Sequence, residues 1–275
     1  MDRPTDDERI AREAVGEWLG ADATLSSLLA MNSSTWQVAA GGERYVLKVA
    51  APTDAPGLEV AAWLDAHGLR TGTPLRTSVR GDRLVALLEF VAGRELGGVD
   101  GDTDLVGETL GLAHGLLRDA PVPDALDRWP WPWLEPDMID EPELREAAVG
   151  AIAGAERIAR TATHGILHGD PAPEAFLASK RGVAMIDWGA ACHGPLLYDV
   201  ASAWLYTNVG VLAAYMGTGP LGPDELADAP AFLAFRWAVQ AWYFSRRRRR
   251  GDLTGLATDA DNDKGLADAR RGLLG

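Results

Sequence analysis

The chain has 275 residues, enough for one large domain or for two lobes with separate cores. Hydrophobic residues make up 47% of it and charged residues 24%, the balance of a globular protein. The formal net charge of −14 argues against general nucleic-acid binding, and it leaves open whether the acidity serves a cationic partner or only solubility. The acidic N-terminus does not resemble a signal peptide, no long apolar run is present, and the single Cys192 cannot form an internal disulfide. We therefore expect a cytoplasmic protein that does not bind a membrane.

The first third of the sequence has the pattern of a small sheet accompanied by helices. Apolar residues at helical spacing are followed by β-rich runs, and Gly41 and Gly42 mark a tight turn between two of these runs. The predicted elements are, in order, a helix over 6–20, a hairpin over 34–50, a helix over 57–68 and strands over 73–78 and 83–93. The last strand is nearly all apolar, which indicates that it is buried.

Beyond residue 93 the pattern becomes mainly helical. The predicted helices span 103–120, 139–161, 196–209, 224–249 and 262–273, and the predicted short strands span 165–168, 175–178 and 183–187. A proline- and tryptophan-rich segment over 121–136 cannot form a regular helix. We expect its aromatic rings either to pack onto the protein or to line a groove.

Four charged residues follow one another in an order that suits phosphoryl transfer. Lys48 lies in the strand "YVLKV" and Glu59 in the helix after it, whereas Asp170 follows the apolar "GILH" and Asp187 ends the strand "VAMI". The reaction needs a cation for the nucleotide's phosphates, a carboxylate that holds this cation, a second that accepts the hydroxyl's proton and a third that binds magnesium. Each residue alone is a weak signal, because strand lysines are usually solvated and strand-ending aspartates are usually caps. Together they predict a kinase-type site.

The segments around these residues resemble those of the aminoglycoside phosphotransferase family, which comprises small-molecule kinases of the protein-kinase-like fold. The resemblance covers nearly the whole chain, from "SSTWQVAAGGERYVLKVA" through "LLEFVAGREL" and "LHGDPAPEAF" to "MIDWGAACHGPLLYDVA". The family's catalytic loop typically reads His-Gly-Asp-x-His-Pro-x-Asn. Residues 168–170 and Pro173 match this loop, whereas Ala172 and Ala175 replace its second histidine and its asparagine.

The resemblance implies an α+β, protein-kinase-like fold with two lobes. The N-lobe would span 1–92, with the N-terminal helix, an antiparallel sheet and one further helix, and the hinge would lie at 89–93. The helical C-lobe would span 93–275 and hold the catalytic loop and the acceptor pocket. The resemblance also implies that ATP and Mg²⁺ are used and that the partner is a small-molecule acceptor.

The resemblance further implies a nucleotide site in the N-lobe and hinge. Its expected members are Lys48, Glu59, Ser33, Ser34, Glu89 and Val91. The lysine, held by the glutamate of the following helix, would bind phosphate oxygens. The main chain of Glu89 and Val91 would hydrogen-bond the adenine edge. The two serines would cover the phosphates through backbone N–H and hydroxyl groups.

In the C-lobe the resemblance makes Asp170 the catalytic base and Asp187 a metal ligand. Asp199, in "GPLLYDVA", is expected to anchor the catalytic loop and is also a candidate for the substrate site. The alanine at position 175 has no donor atom for a second magnesium. Glu174 stands beside it and would either supply a carboxylate to the metal or face solvent, and both readings stay open.

The function implied is an ATP-dependent kinase for a hydroxyl of a small, cationic molecule. Aminoglycosides, basic peptide antibiotics and amino metabolites are the candidate acceptors, the first two implying antibiotic resistance. Carboxylates in "EPDMIDEPE" would either bind this acceptor or complement a helix dipole; they are Glu135, Asp137, Asp140, Glu141 and Glu143. The alternatives are a nucleotide-binding pseudokinase and a kinase for a neutral sugar or metabolite.

Overall fold

The computed structural model describes residues 5–28, 33–253 and 258–275. Within these ranges a sheet-rich N-terminal part precedes a mainly helical C-terminal part, as the resemblance implies. The first elements are α1 (Asp6–Leu19), β1 (Thr24–Leu28), β2 (Ser34–Ala40), β3 (Glu43–Ala50), α2 (Ala55–Ala66), β4 (Pro74–Arg80) and β5 (Arg83–Glu89). The five strands form one antiparallel sheet in the order β1-β2-β3-β5-β4.

Two features of this part differ from the sequence-based expectation. The sequence pattern does not predict β1, because its residues, TLSSL, are mostly exposed and lack the alternation of a half-buried strand. Helix α2 begins at Ala55, two residues before the predicted start at 57. A short 3₁₀ turn over Pro52–Asp54 leads directly into this helix, and it brings Asp54 close to the sheet.

The alternation of side chains gives the central strands two different faces. One face packs against α1, and this core comprises Ala11, Ala14, Val15, Trp36, Val38, Leu47, Val49, Val85 and Leu87. Lys48 lies between two of these residues on β3 and therefore points to the opposite face. On that face it pairs across the ladder with Thr35 of β2 and Ala86 of β5. The sheet thus presents Lys48 on the side away from α1.

The C-terminal part combines helices with short strands. Its elements are β6 (Arg94–Glu95), α3 (Asp102–Leu117), α4 (Pro142–Ala159), β7 (His164–Leu167), β8 (Phe176–Ser179), β9 (Gly182–Met185), β10 (Cys192–Pro195), α5 (Leu197–Tyr206), α6 (Gly210–Met216), α7 (Pro223–Leu226), α8 (Ala229–Arg250) and α9 (Asp259–Leu274). The helix predicted over 196–209 ends at Tyr206, and the helix predicted over 224–249 is divided between α7 and α8.

The short strands position the residues on which the sequence analysis centred. Strand β7 pairs with β10, whereas β8 pairs with β9 on one side and β6 on the other. The loop over 168–175 therefore leaves one small sheet and enters the other, and Asp187 follows the end of β9. The strands predicted over 165–168, 175–178 and 183–187 correspond to β7, β8 and β9 within one or two residues.

The tryptophan-rich segment packs onto the helical part. Trp131 is 5% exposed, and its ring lies 5.5 Å from that of Trp133, 4.9 Å from that of Trp129 and 4.7 Å from that of Tyr198. Of the two expectations for these rings, packing onto the protein is therefore confirmed. In the described ranges, no helix has the length and apolar character needed to span a membrane.

Candidate active site

Lys48 lies in a cleft between the sheet and the segment that follows β9. Its Nζ donates to Asp187 Oδ1 at 2.8 Å and lies 3.5 Å from Asp54 Oδ2, while its side chain is only 12% exposed. Burial opposes the charged form of Lys48, but the two carboxylates outweigh it and raise the pKa of Lys48 above its ordinary value. The cleft therefore holds a charged ammonium group between two carboxylates.

The expected pairing of Lys48 with Glu59 is not found. Glu59 is exposed on α2 and forms no ion pair within the described ranges. The buried face of α2 includes Gly57, and Glu59 lies two residues further, about 200° around the helix. The carboxylate that reaches the lysine instead belongs to Asp54, in the turn before α2.

Two glycines allow the close approach of α2 to the segment that follows β9. A Cβ atom on Gly57 would lie 1.9 Å from the Trp188 carbonyl oxygen. A Cβ atom on Gly189 would lie 2.6 Å from Asp54 Oδ2 and 2.7 Å from Lys48 Nζ. Any larger residue at either position would separate the groups that the cleft brings together.

Asp187 has an unusual backbone conformation. Its φ of 64° and ψ of 56° lie in the left-handed region, and no other non-glycine residue of the described ranges has a positive φ. Strain of this kind is often found at functional sites. Burial by surrounding protein atoms disfavours the charged form of Asp187, although 64% of its side-chain surface reaches solvent. The attraction of Lys48 outweighs this effect and lowers the pKa of Asp187. The carboxylate is thus ionised, exposed and held in one orientation.

A buried carboxylate anchors the loop that carries Asp170. Asp199 is 0% exposed and accepts hydrogen bonds from the backbone N–H groups of His168 at 2.7 Å and Gly169 at 3.0 Å. The buried His114 Nε2 lies 3.1 Å from the same carboxylate, and its Nδ1 lies 2.9 Å from Tyr215 Oη. Asp199 is therefore the anchor that the sequence analysis expects. The expectation that Asp199 also contacts the substrate is contradicted by its burial, since no solvent reaches it.

His168 joins this loop to the segment that carries Asp187. Its Nε2 lies 2.8 Å from the Ile186 carbonyl oxygen, and its Nδ1 accepts from the Asp170 backbone N–H at 3.3 Å. The neutral tautomer with its proton on Nε2 satisfies both contacts. Gly169 has a φ of 86°, and a Cβ atom there would lie 2.1 Å from the Ala190 carbonyl oxygen. The loop and the segment that carries Asp187 are thus held together at close range.

Asp170 is held by two side chains that the sequence analysis does not identify. Its Oδ1 accepts from Arg236 Nη2 at 2.9 Å and from Tyr206 Oη at 3.2 Å. The Arg236 side chain is 8% exposed, whereas that of Asp170 is 41% exposed. The carboxylate therefore has one fixed edge and one open edge.

Glu174 is exposed on the loop, and its carboxyl group interacts electrostatically with three other carboxylates. Partial burial raises the pKa of Glu174, and the negative charges of Asp170, Glu95 and Asp187 raise it further. No three acidic, histidine or cysteine side chains within the described ranges form a ready-made metal site. Magnesium, however, usually takes one or two protein carboxylates together with substrate phosphates. The oxygen donors and the excess negative charge around Glu174 and Asp187 fit this ion.

The expected hinge follows β5. Glu89 is the last residue of β5, and its N–H donates to the Thr73 carbonyl at 3.0 Å. The Val91 side chain is 8% exposed and packs with Leu177 and Ala184. No main-chain hydrogen bond of Val91 is present within the described ranges.

The two serines expected at the phosphates point in different directions, because successive strand residues face opposite sides. Ser34 Oγ donates to Asp7 Oδ2 at 2.8 Å, on the α1 side of the sheet. Ser33 Oγ lies 3.1 Å from Thr35 Oγ1, on the side of Lys48. The expectation for the Ser34 hydroxyl is therefore wrong, whereas Ser33 stays on the correct face.

Most of the acidic residues proposed for the acceptor are paired with arginines. Asp140 accepts from Arg249 Nε at 2.9 Å, which lowers the pKa of Asp140, and Arg270 pairs with both Glu141 and Glu143. These three carboxylates therefore join the start of α4 to α8 and α9. The remaining two, Glu135 and Asp137, are exposed and form no ion pair within the described ranges.

This combination of cleft, anchored loop and exposed carboxylate agrees with the comparison to known families. A sequence model described as the phosphotransferase enzyme family matches residues 26–239, which include Lys48, Asp170 and Asp187. The match covers most of the chain. The protein therefore belongs to the phosphotransferase enzyme family. A search of curated protein sequences finds no significant match.

Solved structures of small-molecule kinases share the fold. Amicoumacin kinase hAmiN, solved with AMP-PNP, Ca²⁺ and amicoumacin, is 15% identical, with a TM-score of 0.75 over 98% of this chain and 93% of its own. A microcompartment-associated aminopropanol kinase is 18% identical, with a TM-score of 0.75 over 96% of this chain and 95% of its own. The spectinomycin phosphotransferase APH(9)-Ia, solved with ADP and spectinomycin, is 13% identical, with a TM-score of 0.67 over 98% and 95%. At these identities the similarity establishes the fold.

Proposed function

We propose that the protein transfers the γ-phosphoryl group of ATP to a hydroxyl group of a small molecule. One observation carries this proposal. Lys48 and Asp187, which are 139 residues apart in sequence, meet at 2.8 Å in a cleft next to the anchored Asp170 loop. Phosphoryl transfer depends on positioning and on charge stabilisation, and these groups supply both.

Each side chain has a defined task in this reaction. Lys48 neutralises phosphate oxygens, Asp54 keeps its ammonium group in place, and the Val91 main chain binds the adenine edge together with the Glu89 carbonyl. Asp170 accepts the proton of the acceptor hydroxyl, whose oxygen forms a bond to the γ-phosphorus as the bond to the ADP oxygen breaks. The hydrogen bonds from His168 and Gly169 to Asp199 fix the loop that carries this base.

Asp187 and Glu174 are the residues that would hold magnesium. When bound, the ion neutralises charge on the phosphate oxygens during transfer. The negative charges of Asp170, Glu95 and Asp187 that act on Glu174 support this assignment, since a divalent cation bound there would relieve their mutual repulsion.

The acceptor we propose is a small molecule with a positive charge, such as an aminoglycoside, a basic peptide antibiotic or an amino metabolite. The net charge of −14 and the two unpaired, exposed carboxylates of Glu135 and Asp137 support it. The names of amicoumacin kinase, aminopropanol kinase and spectinomycin phosphotransferase point in the same direction. Modification of an antibiotic would make the protein a resistance enzyme, acting in the cytoplasm where ATP and magnesium are available.

A second candidate function is favoured by one residue. Ala175 is 4% exposed and offers no ligand at the position of the family's asparagine. A protein that binds the nucleotide without transferring its phosphoryl group, a pseudokinase, would tolerate this replacement.

Calorimetric titration with ATP and with GTP, at several magnesium concentrations, tests the nucleotide site. We expect binding that requires magnesium, and we expect Glu174→Gln to need about tenfold more of it, because a neutral amide replaces a charged ligand. Glu156→Gln, an exposed glutamate of α4, is the matched control. If Glu174→Gln titrates like the control, Glu174 faces solvent and Asp187 alone holds the metal. If no nucleotide binds, the proposed function is wrong.

A further inference from the structure

Arg236 contacts Asp170 although it belongs to none of the motifs of the sequence. It lies on α8, and its Nη2 donates to Asp170 Oδ1 at 2.9 Å and to Tyr206 Oη at 2.7 Å. Tyr206, the last residue of α5, donates its hydroxyl hydrogen to the same Oδ1 at 3.2 Å. A loop and two helices, separated by 30 to 66 residues in sequence, therefore close one ring of hydrogen bonds.

This ring leaves the two oxygens of Asp170 in different situations. Both protein donors reach Oδ1, and Oδ2 accepts no hydrogen bond from any residue of the described ranges. The side chain is 41% exposed, and Oδ2 is the oxygen that these donors do not reach. An incoming hydroxyl group would therefore meet Oδ2, which accepts no hydrogen bond from the described residues. The hydrogen bonds to Oδ1 fix the direction in which Oδ2 points.

Stability alone does not explain Arg236. Its side chain is 8% exposed, and its Nε is buried without a hydrogen-bond partner within the described ranges. A buried ion pair usually gains little net stability, and an unsatisfied donor reduces that gain further. An apolar residue of similar size would fill the same space on α8 at less cost, but it would release Asp170.

We propose that Arg236, assisted by Tyr206, is the positioning residue of Asp170. Arg236 fixes Oδ1 so that Oδ2 faces the acceptor hydroxyl. This role rests on the function proposed above. In the transfer step the acceptor O–H bond breaks and its proton passes to Oδ2. The freed oxygen bonds to the γ-phosphorus, whose bond to the ADP oxygen breaks, while Arg236 and Tyr206 keep their contacts with Oδ1.

Crystal structures of four variants test the geometry without any acceptor. In Arg236→Met we expect the Asp170 carboxylate to leave its position, and in Tyr206→Phe we expect a smaller displacement. In Arg236→Lys the ammonium group keeps one contact with Oδ1, and the carboxylate stays. Arg247→Met removes another buried arginine of α8, about 16 Å further along the helix axis, and serves as the matched control. An unmoved Asp170 in both Arg236→Met and Tyr206→Phe would overturn the proposal.

Kinetics on an acceptor found by the transfer assay separates positioning from a purely structural role. We expect Arg236→Met to lower kcat by about 10- to 100-fold, the scale of a misplaced catalytic group, with KM for MgATP unchanged and with partial recovery in Arg236→Lys. In an Asp170→Asn background, Arg236→Met should have no further effect. A loss of equal size in that background, or in Arg247→Met, contradicts the proposal. Tyr206→Phe gives the milder test if Arg236→Met does not fold. If no acceptor is phosphorylated, the proposed function fails, and the crystal structures still decide the role of Arg236.

Discussion

At the scale of single residues, the cleft depends on which carboxylate faces Lys48. The pKa values of both Lys48 and Asp54 are raised. At Lys48 the neighbouring carboxylates outweigh burial, whereas at Asp54 burial outweighs the attraction of Lys48. The first shift stabilises the folded protein at neutral pH and the second destabilises it. The two shifts act on stability in opposite directions, so Asp54 is better explained as a group that orients the lysine than as a source of stability.

The exchange of Asp54 for Asn therefore has separable effects on binding and on stability. We expect about three- to tenfold weaker binding of MgATP, since the neutral amide holds the ammonium group less firmly, and a nearly unchanged free energy of unfolding. Calorimetry and urea unfolding measure the two quantities. Glu59→Gln, in the adjacent helix, is the control and should change neither. If Glu59→Gln weakened MgATP binding and Asp54→Asn left it unchanged, the sequence-based pairing of Lys48 with Glu59 would be supported instead.

At the scale of elements, the carboxylate of Asp102 connects β6 to the start of α3. Asp102 accepts from Arg94 Nη1 at 2.8 Å and Nη2 at 2.7 Å, and from the N–H groups of Gly97, Gly98 and Val99 at 2.8 to 3.1 Å. The hydrogen bonds from Arg94, followed by those of the backbone, hold the pKa of Asp102 well below its usual range. Strand β6, the turn and the start of α3 are therefore fixed relative to one another.

Acid should release this connection. A depressed folded-state pKa means that the stabilisation is complete above the unfolded-state value, about 4, and is lost as the pH falls through the folded-state value. We expect Asp102→Asn to lower the free energy of unfolding by a constant amount above about pH 5 and by less at lower pH. Asp104→Asn, an exposed residue of the same helical turn, is the control. Urea unfolding between pH 3 and pH 7 measures both, and a difference that is independent of pH would contradict this role.

The elements also show which parts of the fold can be predicted from sequence patterns. Strands β2, β3 and β5 follow from runs of apolar and β-branched residues, and Gly41 and Gly42 supply the turn with positive φ values of 60° and 84°. Strand β1 cannot be predicted in this way, because it is a mostly exposed edge strand whose pairing with β2 depends on tertiary contacts.

At the scale of the whole molecule, sequence motifs locate only those functional residues that belong to a recognisable local pattern. The triplet over 168–170 and the "IDWG" segment place Asp170 and Asp187, and the structure brings both next to the cleft. Arg236 and Tyr206 carry no such signal, because they meet Asp170 only through the packing of α5 and α8 around the loop. The choice of Asp54 over Glu59 likewise depends on where α2 begins, and helix starts are poorly defined by sequence.

The measurement that tests the whole account is phosphoryl transfer itself. The protein is incubated with MgATP and a panel of small alcohols, with and without amino groups, and each compound is followed by mass spectrometry. We expect at least one amine-bearing compound to gain a phosphoryl group. Asp170→Asn should slow this transfer by about 10²- to 10⁴-fold, the scale of a positioned base, with nucleotide affinity unchanged, and Asp104→Asn should not slow it. Transfer confined to neutral sugars would contradict the proposed cationic acceptor. A protein that binds MgATP but phosphorylates no compound, or an Asp170→Asn variant with full activity, would contradict the central claim.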